Sequence, residues 1–139
     1  MENKKVLLGM SGGVDSSVSA LLLKQNGYEP IGITLELFAG SSCCNINTYI
    51  DAKNVCKSIG IPHFTYNYKD EFKCKVIDNF IEEYSNQRTP NPCIVCNKYM
   101  KFGYMWKKAK ELGCNYLATG HYAKTEYSEK YGIIRRNEY

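Results

Sequence analysis

Apolar and polar positions alternate along the chain in two ways: short apolar runs are separated by longer stretches of helical period. "KVLLG" at 5–9 is a compact apolar run that breaks at once into small residues, and runs at 30–35, 63–67, 116–119 and 132–135 repeat that strand signature. Between them the spacing predicts helices near 15–26, 47–59, 70–84 and 94–112. In the third of these Val76, Phe80 and Tyr84 recur every four residues with Ile77 and Ile81 beside them, which predicts a core-facing stripe. Gly27, Gly60 and Gly113 each follow a helical run, where a glycine in the left-handed conformation ends a helix. Strands that alternate with helices imply right-handed crossovers and a sheet covered on both faces. The predicted fold class is therefore α/β, a Rossmann-like doubly wound parallel sheet of about five strands, with ligands at the strands' carboxyl ends. The one long irregular connection, 85–93, is polar and carries Pro90 and Pro92.

Composition narrows the class without choosing a function. A chain of 139 residues is the size of one domain and can bury a core without disulfide or metal staples. No apolar run approaches the roughly 20 residues that span a bilayer, so no membrane partner is expected. The opening Met-Glu-Asn-Lys-Lys leads straight into a strand without the apolar segment of a signal peptide, which makes the cytoplasm the expected compartment. Seven cysteines are an odd number, and in a reducing compartment they read as free thiols, ligands or redox groups. Cys56, Cys74 and Cys114, inside or capping helical runs, are expected in the core. The net charge of +4 suits a polyanionic partner without requiring one.

The turn after the first strand is "SGGVDS", Ser11–Ser16. Adjacent glycines let backbone N–H groups converge, and the helix that follows offers its positive end, which together make an anion cradle. Ser11, Ser16 and Ser17 supply hydroxyls, and Asp15 supplies a carboxylate for a Mg²⁺ that offsets phosphate charge. The loop lacks the lysine of a Walker A motif and the third glycine of a dinucleotide fingerprint. A plain tight connection is the bland alternative. The loop resembles the PP-loop of the ATP pyrophosphatases, which implies that ATP is cleaved between its α and β phosphates while a substrate carbonyl oxygen attacks the α-phosphate.

Two further segments, "RTPNPCIVCNKYMKF" at 88–102 and "LATGHYAK" at 117–124, follow "GMSGGVDSSV" in order. With these three motifs the chain resembles, over most of its length, the N-terminal PP-loop domain of the tRNA 2-thiouridylases. The resemblance implies a tRNA partner, ATP with Mg²⁺, and a persulfide sulfur donor such as a cysteine desulfurase relay. It implies adenylation of the wobble uridine at its C2 oxygen and replacement of that oxygen by sulfur, giving 2-thiouridine. ATP would be bound by Gly9, Met10, Ser11, Gly12, Gly13, Val14, Asp15 and Ser16, with Leu35 against the adenine where the family commonly has methionine, and Gly120 closing the far side. Cys96 would be the nucleophile and Asp15 the other catalytic group. Asn91, Pro92, Cys93 and His121 would contact the base or the tRNA. Family members carry a persulfide-bearing second cysteine, a tRNA-binding domain and a barrel domain beyond the matched segments, so residues 1–139 are expected to be a truncated N-terminal catalytic domain.

Local chemistry bears on the same residues. Pro90 and Pro92 bias Thr89 and Asn91 to extended backbone, so the stretch before Cys93 is a stiff loop. Cys93 and Cys96 then fall at a helix start, whose positive end favours thiolate, the form that attacks sulfur or binds metal. Cys93 stands where the family usually has aspartate, which opens a metal reading: Cys93 and Cys96 on an iron–sulfur cluster, with Cys43 and Cys44 as candidate further ligands. Lys98, Lys101, Lys107, Lys108 and Lys110, interleaved with Tyr99, Phe102, Tyr104 and Trp106, fit a tRNA-backbone contact and fit equally a solvated face over an aromatic core stripe. Two other function classes share features of the chain. An amide-forming synthetase would use the phosphate loop and not the cysteines, and a metal- or sulfur-carrier module would use the cysteines and not ATP.

Overall fold

The computed structural model describes residues 3–37, 46–122, 124–130 and 132–136. The elements are β1 (Lys5–Gly9), α1 (Val14–Gln25), β2 (Glu29–Glu36), α2 (Ile46–Ile59), β3 (His63–Asn67) and α3 (Lys69–Phe72). The last runs without a break through a π-helical stretch, Lys73–Ile77, into α4 (Asp78–Ser85). A second continuous helix joins α5 (Pro92–Val95), a π-helical stretch Cys96–Tyr104 and α6 (Met105–Glu111), and β4 (Tyr116–Ala118), β5 (Lys124–Ser128) and β6 (Gly132–Arg136) follow.

The main sheet has the order β3-β2-β1-β4 and every pairing in it is parallel. From β1 the chain steps outward to β2 and β3, then returns across the sheet to lay β4 on the other side of β1. That reversal leaves a crevice between β1 and β4 at their carboxyl ends, where ligands of such sheets bind. Alternation along β1 fills both faces. Leu8, with Met10 just past the strand end, packs with Ala20, Ala52, Cys56 and Ile61 beneath α1 and α2. Leu7 and Ile33 pack with Met105, Ala109 and Cys114 on the α6 side. Leu7 and Leu8 are fully buried, each contributing about 1.5–3 kcal/mol of transfer free energy. A third cluster, Leu37, Val76 and Met100, lies beyond the end of β2 and ties the two long helices together. Gly27, Gly60 and Gly113 take φ of +80°, +77° and +71° after their helices, as the sequence predicts.

Three expectations need correction. The run at 132–135 does not extend the parallel sheet: among the described residues that sheet has four strands, and β6 pairs antiparallel with β5 in a separate hairpin. A parallel neighbour needs a crossover of about a dozen residues or more, and β5 takes up part of the chain between β4 and β6. The stripe on the third helix is not a core stripe. Val76 is buried, whereas Phe80, Ile81 and Tyr84 are exposed, and Phe80 packs edge-on against Tyr84 at 4.8 Å between centroids. Val76 lies in the π-helical stretch, which changes the rotation per residue, so the spacing of four does not keep it on the face that Phe80 and Tyr84 share in α4. Cys56 and Cys114 are buried as expected, but Cys74, on that same stretch, is exposed. Among the described residues no helix is long and apolar enough to cross a membrane.

Candidate functional site

The loop at the end of β1 is held by its own hydroxyls. The Ser16 hydroxyl, nearly buried, donates to the Gly13 carbonyl and accepts from the Ser11 N–H, each at 3.3 Å. The Ser11 hydroxyl also lies 3.3 Å from Ser16 Oγ and accepts from the Gly13 N–H at 3.3 Å, closing the ring. Ser17 Oγ donates to the same Gly13 carbonyl at 2.6 Å. These serines therefore shape the cradle, which leaves the converging N–H groups at the amino end of α1 as the donors an anion would meet. Gly12 has φ +78°, and a Cβ there would lie 2.8 Å from the Thr48 carbonyl oxygen, so α2 closes over the loop where only glycine fits. The Met10 side chain is buried in the core beneath and its N–H donates to the Ile33 carbonyl at 2.8 Å, so Met10 anchors the loop to the sheet and offers no donor to a ligand.

Gly120 lies across the crevice. A Cβ on it would stand 2.9 Å from the Ser16 nitrogen and 3.1 Å from the Asp15 carbonyl carbon, so the end of β4 is pressed against the first turn of α1. Just past it, Tyr122 donates its hydroxyl to Asp15 Oδ1 at 2.5 Å, and the phenol is pushed above its ordinary range by that carboxylate. His121 Nδ1 lies 2.8 Å from Thr119 Oγ1, and its imidazole sits 6.0 Å from the Phe102 ring. Asp15 is exposed on the first turn of α1. As one carboxylate beside an anion cradle it fits a Mg²⁺ ion, which takes one or two carboxylates and completes its shell with phosphate oxygens and water.

Beneath the loop a chain of hydrogen bonds crosses three strands. Thr34 Oγ1 donates to the Met10 carbonyl at 2.8 Å, so its contact with His63 Nε2 at 2.9 Å makes that nitrogen the N–H donor. Burial, aided by the positive charge of Lys53, holds His63 below the ordinary imidazole value. Thr34 and His63 do not stand out in the sequence, and Tyr122, although inside the 117–124 motif, gives no sign of its bond to Asp15, because each meets the loop only through long-range contacts.

The second long helix carries the remaining predicted residues. Asn91 caps it, its Oδ1 accepting from the Ile94 N–H at 3.3 Å, and Pro92 occupies the first turn. Cys93 is exposed there, while Cys96 is half-buried against the Leu37–Val76–Met100 cluster. Leu35 is half-buried at the carboxyl end of β2 and packs with that cluster and with the Leu7 cluster. Met105, farther along the helix, supports the loop from below: a Cβ on Gly9 would lie 3.0 Å from its Cε. Cys96 packs beyond the end of β2 and stands nine residues before Met105 on one continuous helix, so the structure brings Gly9–Ser16, Gly120 and His121 together at the ends of β1 and β4 and sets Asn91, Cys93 and Cys96 toward the amino end of the helix that passes beneath. Two cysteines do not make a cluster site: among the described residues no group of three His, Cys, Asp or Glu side chains is gathered that could hold a metal ion. Cys43 and Cys44 lie outside the described residues.

With this geometry the chain can be compared with known proteins. The family model described as the tRNA methyl transferase HUP domain matches residues 4–138. The chain belongs to this family. Among curated relatives, the tRNA-specific 2-thiouridylase MnmA of Clostridioides difficile is 53% identical over 137 residues, covering 94% of this chain and 38% of the relative. That of Clostridium acetobutylicum is 50% identical, covering 98% and 41%. The chain thus spans 38–41% of the length of these relatives. Among solved structures, the U34-tRNA thiolase NcsA from Methanococcus maripaludis, described with its 4Fe–4S cluster, has a TM-score of 0.61 and 28% identity over 86% of this chain and 38% of that one. The NH3-dependent NAD synthetase from Campylobacter jejuni, at TM-score 0.55 and 16% identity over 84% of this chain and 47% of that one, shares the fold.

Proposed function

We propose that the crevice binds Mg–ATP and serves 2-thiolation of a wobble uridine in tRNA, in the cytoplasm. The observation that carries this reading is the close approach of backbone at two glycines, Gly12 against α2 and Gly120 against the first turn of α1, beside the helix end whose N–H groups an anion would meet. Relatives named tRNA-specific 2-thiouridylase support the choice of acceptor. Backbone N–H groups in the first turn of α1, Val14–Ser16, take the β and γ phosphates, Asp15 holds the Mg²⁺ that offsets their charge, and Leu35 gives the adenine an apolar wall. The uridine O2 attacks the α-phosphorus, the bond to the β-phosphate oxygen breaks and pyrophosphate leaves, so a poor leaving oxygen becomes part of AMP. The Cys96 thiolate attacks the inner sulfur of a donor persulfide, forming a disulfide and releasing hydrosulfide. Hydrosulfide adds to C2 and AMP departs with the original oxygen. Asn91, Pro92 and Cys93 form a stiff wall against which an unstacked base can rest, and no step passes through a metal cluster.

Incubation of the chain with ATP, wobble-uridine tRNA and a persulfide donor, followed by nucleotide analysis, tests the reading. AMP and pyrophosphate are expected, and ADP with phosphate would overturn it. Cys96→Ala should keep pyrophosphate release and lose both AMP release and the thiolated product, whereas an amide-forming synthetase would be indifferent to that change.

A further inference from the structure

The sequence leaves open whether the aromatic residues between 98 and 110 are core or surface, and the structure divides them. Met100, Met105 and Ala109 are buried, and Tyr104 turns inward against Tyr68, with ring centroids 4.8 Å apart. Tyr99, Phe102 and Trp106 are 41%, 44% and 40% exposed, so one helix presents three large rings to solvent. Ammonium groups lie beside two of them: Lys98 and Lys75 are 5.1 and 5.6 Å from the Tyr99 centroid, and Lys110 is 5.4 Å from that of Trp106. The helix holds five lysines against one glutamate, and that glutamate, Glu111, is bound by Lys108 at 2.8 Å. The row is continuous with the crevice, because Phe102 packs on His121.

We infer that Tyr99, Phe102 and Trp106, with Lys98, Lys107 and Lys110, form a stacking platform for unpaired nucleotides of RNA, leading to the crevice at Phe102. Exposed rings offer a π-face to any base, and lysines beside them meet the phosphates that link successive bases. An anionic partner matches the surplus of positive charge, and unpaired bases match the rings, which a duplex with its bases stacked inside could not use. The platform rests on the proposed RNA substrate and adds to it where on the chain the strand lies.

Trp106 is the single tryptophan of the chain, so its emission reports stacking directly. Titration of the 139-residue chain with a single-stranded uridine-containing heptanucleotide should quench that emission, and the same backbone lacking its bases should bind without quenching. Phe102→Leu, at an exposed position where folding is checked by circular dichroism, should weaken binding about tenfold. Lys98→Gln with Lys110→Gln should flatten the salt dependence of log K by about 1.4. Unchanged emission at saturating RNA, or RNA affinity unaffected by Phe102→Leu, would overturn the platform and give the face to a protein partner. A parallel ATP titration separates the two ideas: ATP bound without RNA quenching removes the platform and keeps the reaction, and quenching without ATP binding does the reverse.

Discussion

At the scale of single residues, the site depends on atoms that are missing. Gly120→Ala would push a Cβ to within 2.9 Å of backbone that cannot move without shifting the first turn of α1. Overpacking of this kind costs about 1–3 kcal/mol. The expected outcome is a melting temperature lower by about 5 °C or more and weakened ATP binding by calorimetry. Asp15 and Tyr122 give a pair of opposite signs. Asp15→Asn should weaken Mg–ATP binding, while Tyr122→Phe, which frees a carboxylate oxygen from its phenol partner, should tighten it. If calorimetry finds both variants unchanged, Asp15 holds no Mg²⁺. His63 supplies a pH test. Its folded state resists protonation, so the unfolded chain takes up the proton at higher pH than the folded one. Stability from this group is complete above the ordinary imidazole value of 6.5 and falls as the pH drops through it toward the lower folded value. His63→Gln should reduce the loss of melting temperature between pH 7.5 and 5.5. The glycine turn was legible because glycine leaves a local mark in the sequence. The His63–Thr34–Met10 relay and the Tyr122–Asp15 contact were not, since they link positions that only the folded sheet brings together.

At the scale of elements, caps and breaks were legible and faces were not. The three glycine helix stops and the proline-stiffened entry to the second long helix follow from local backbone rules. The exposed side of α4 and the exposed Cys74 escaped because π-helical turns alter the period on which a face is read. The hairpin β5–β6 escaped because β5, "KTEYS", has little apolar content. Asn91 tests the entry directly. Its side chain caps the helix that presents Cys93 and Cys96, and Asn91→Ala should cost about 1 kcal/mol in chemical denaturation. Asn91→Ser should recover most of that loss, and equal losses in both would mean that the cap is not what Asn91 contributes.

At the scale of the molecule, the sheet order and the return of the chain from β3 to β4 bring Gly120 against the phosphate loop at the strands' carboxyl ends; the alternation of strands and helices predicted a site at those ends, and the part of Gly120 came from the resemblance alone. The packing of Cys96 beside Leu37 and Val76 was not legible, because it depends on how one continuous helix passes from the end of β2 to beneath β1 and β4. The central claim, that the loop after β1 cradles the phosphates of ATP, is tested most directly by amide shift mapping in ¹H–¹⁵N spectra of the isotope-labelled chain during titration with Mg–ATP. Saturable shifts concentrated at the N–H groups of Ser11–Ser16 and Gly120 are expected. Shifts confined to the helix from Pro92 to Glu111, with 11–16 and Gly120 unmoved, would contradict that claim.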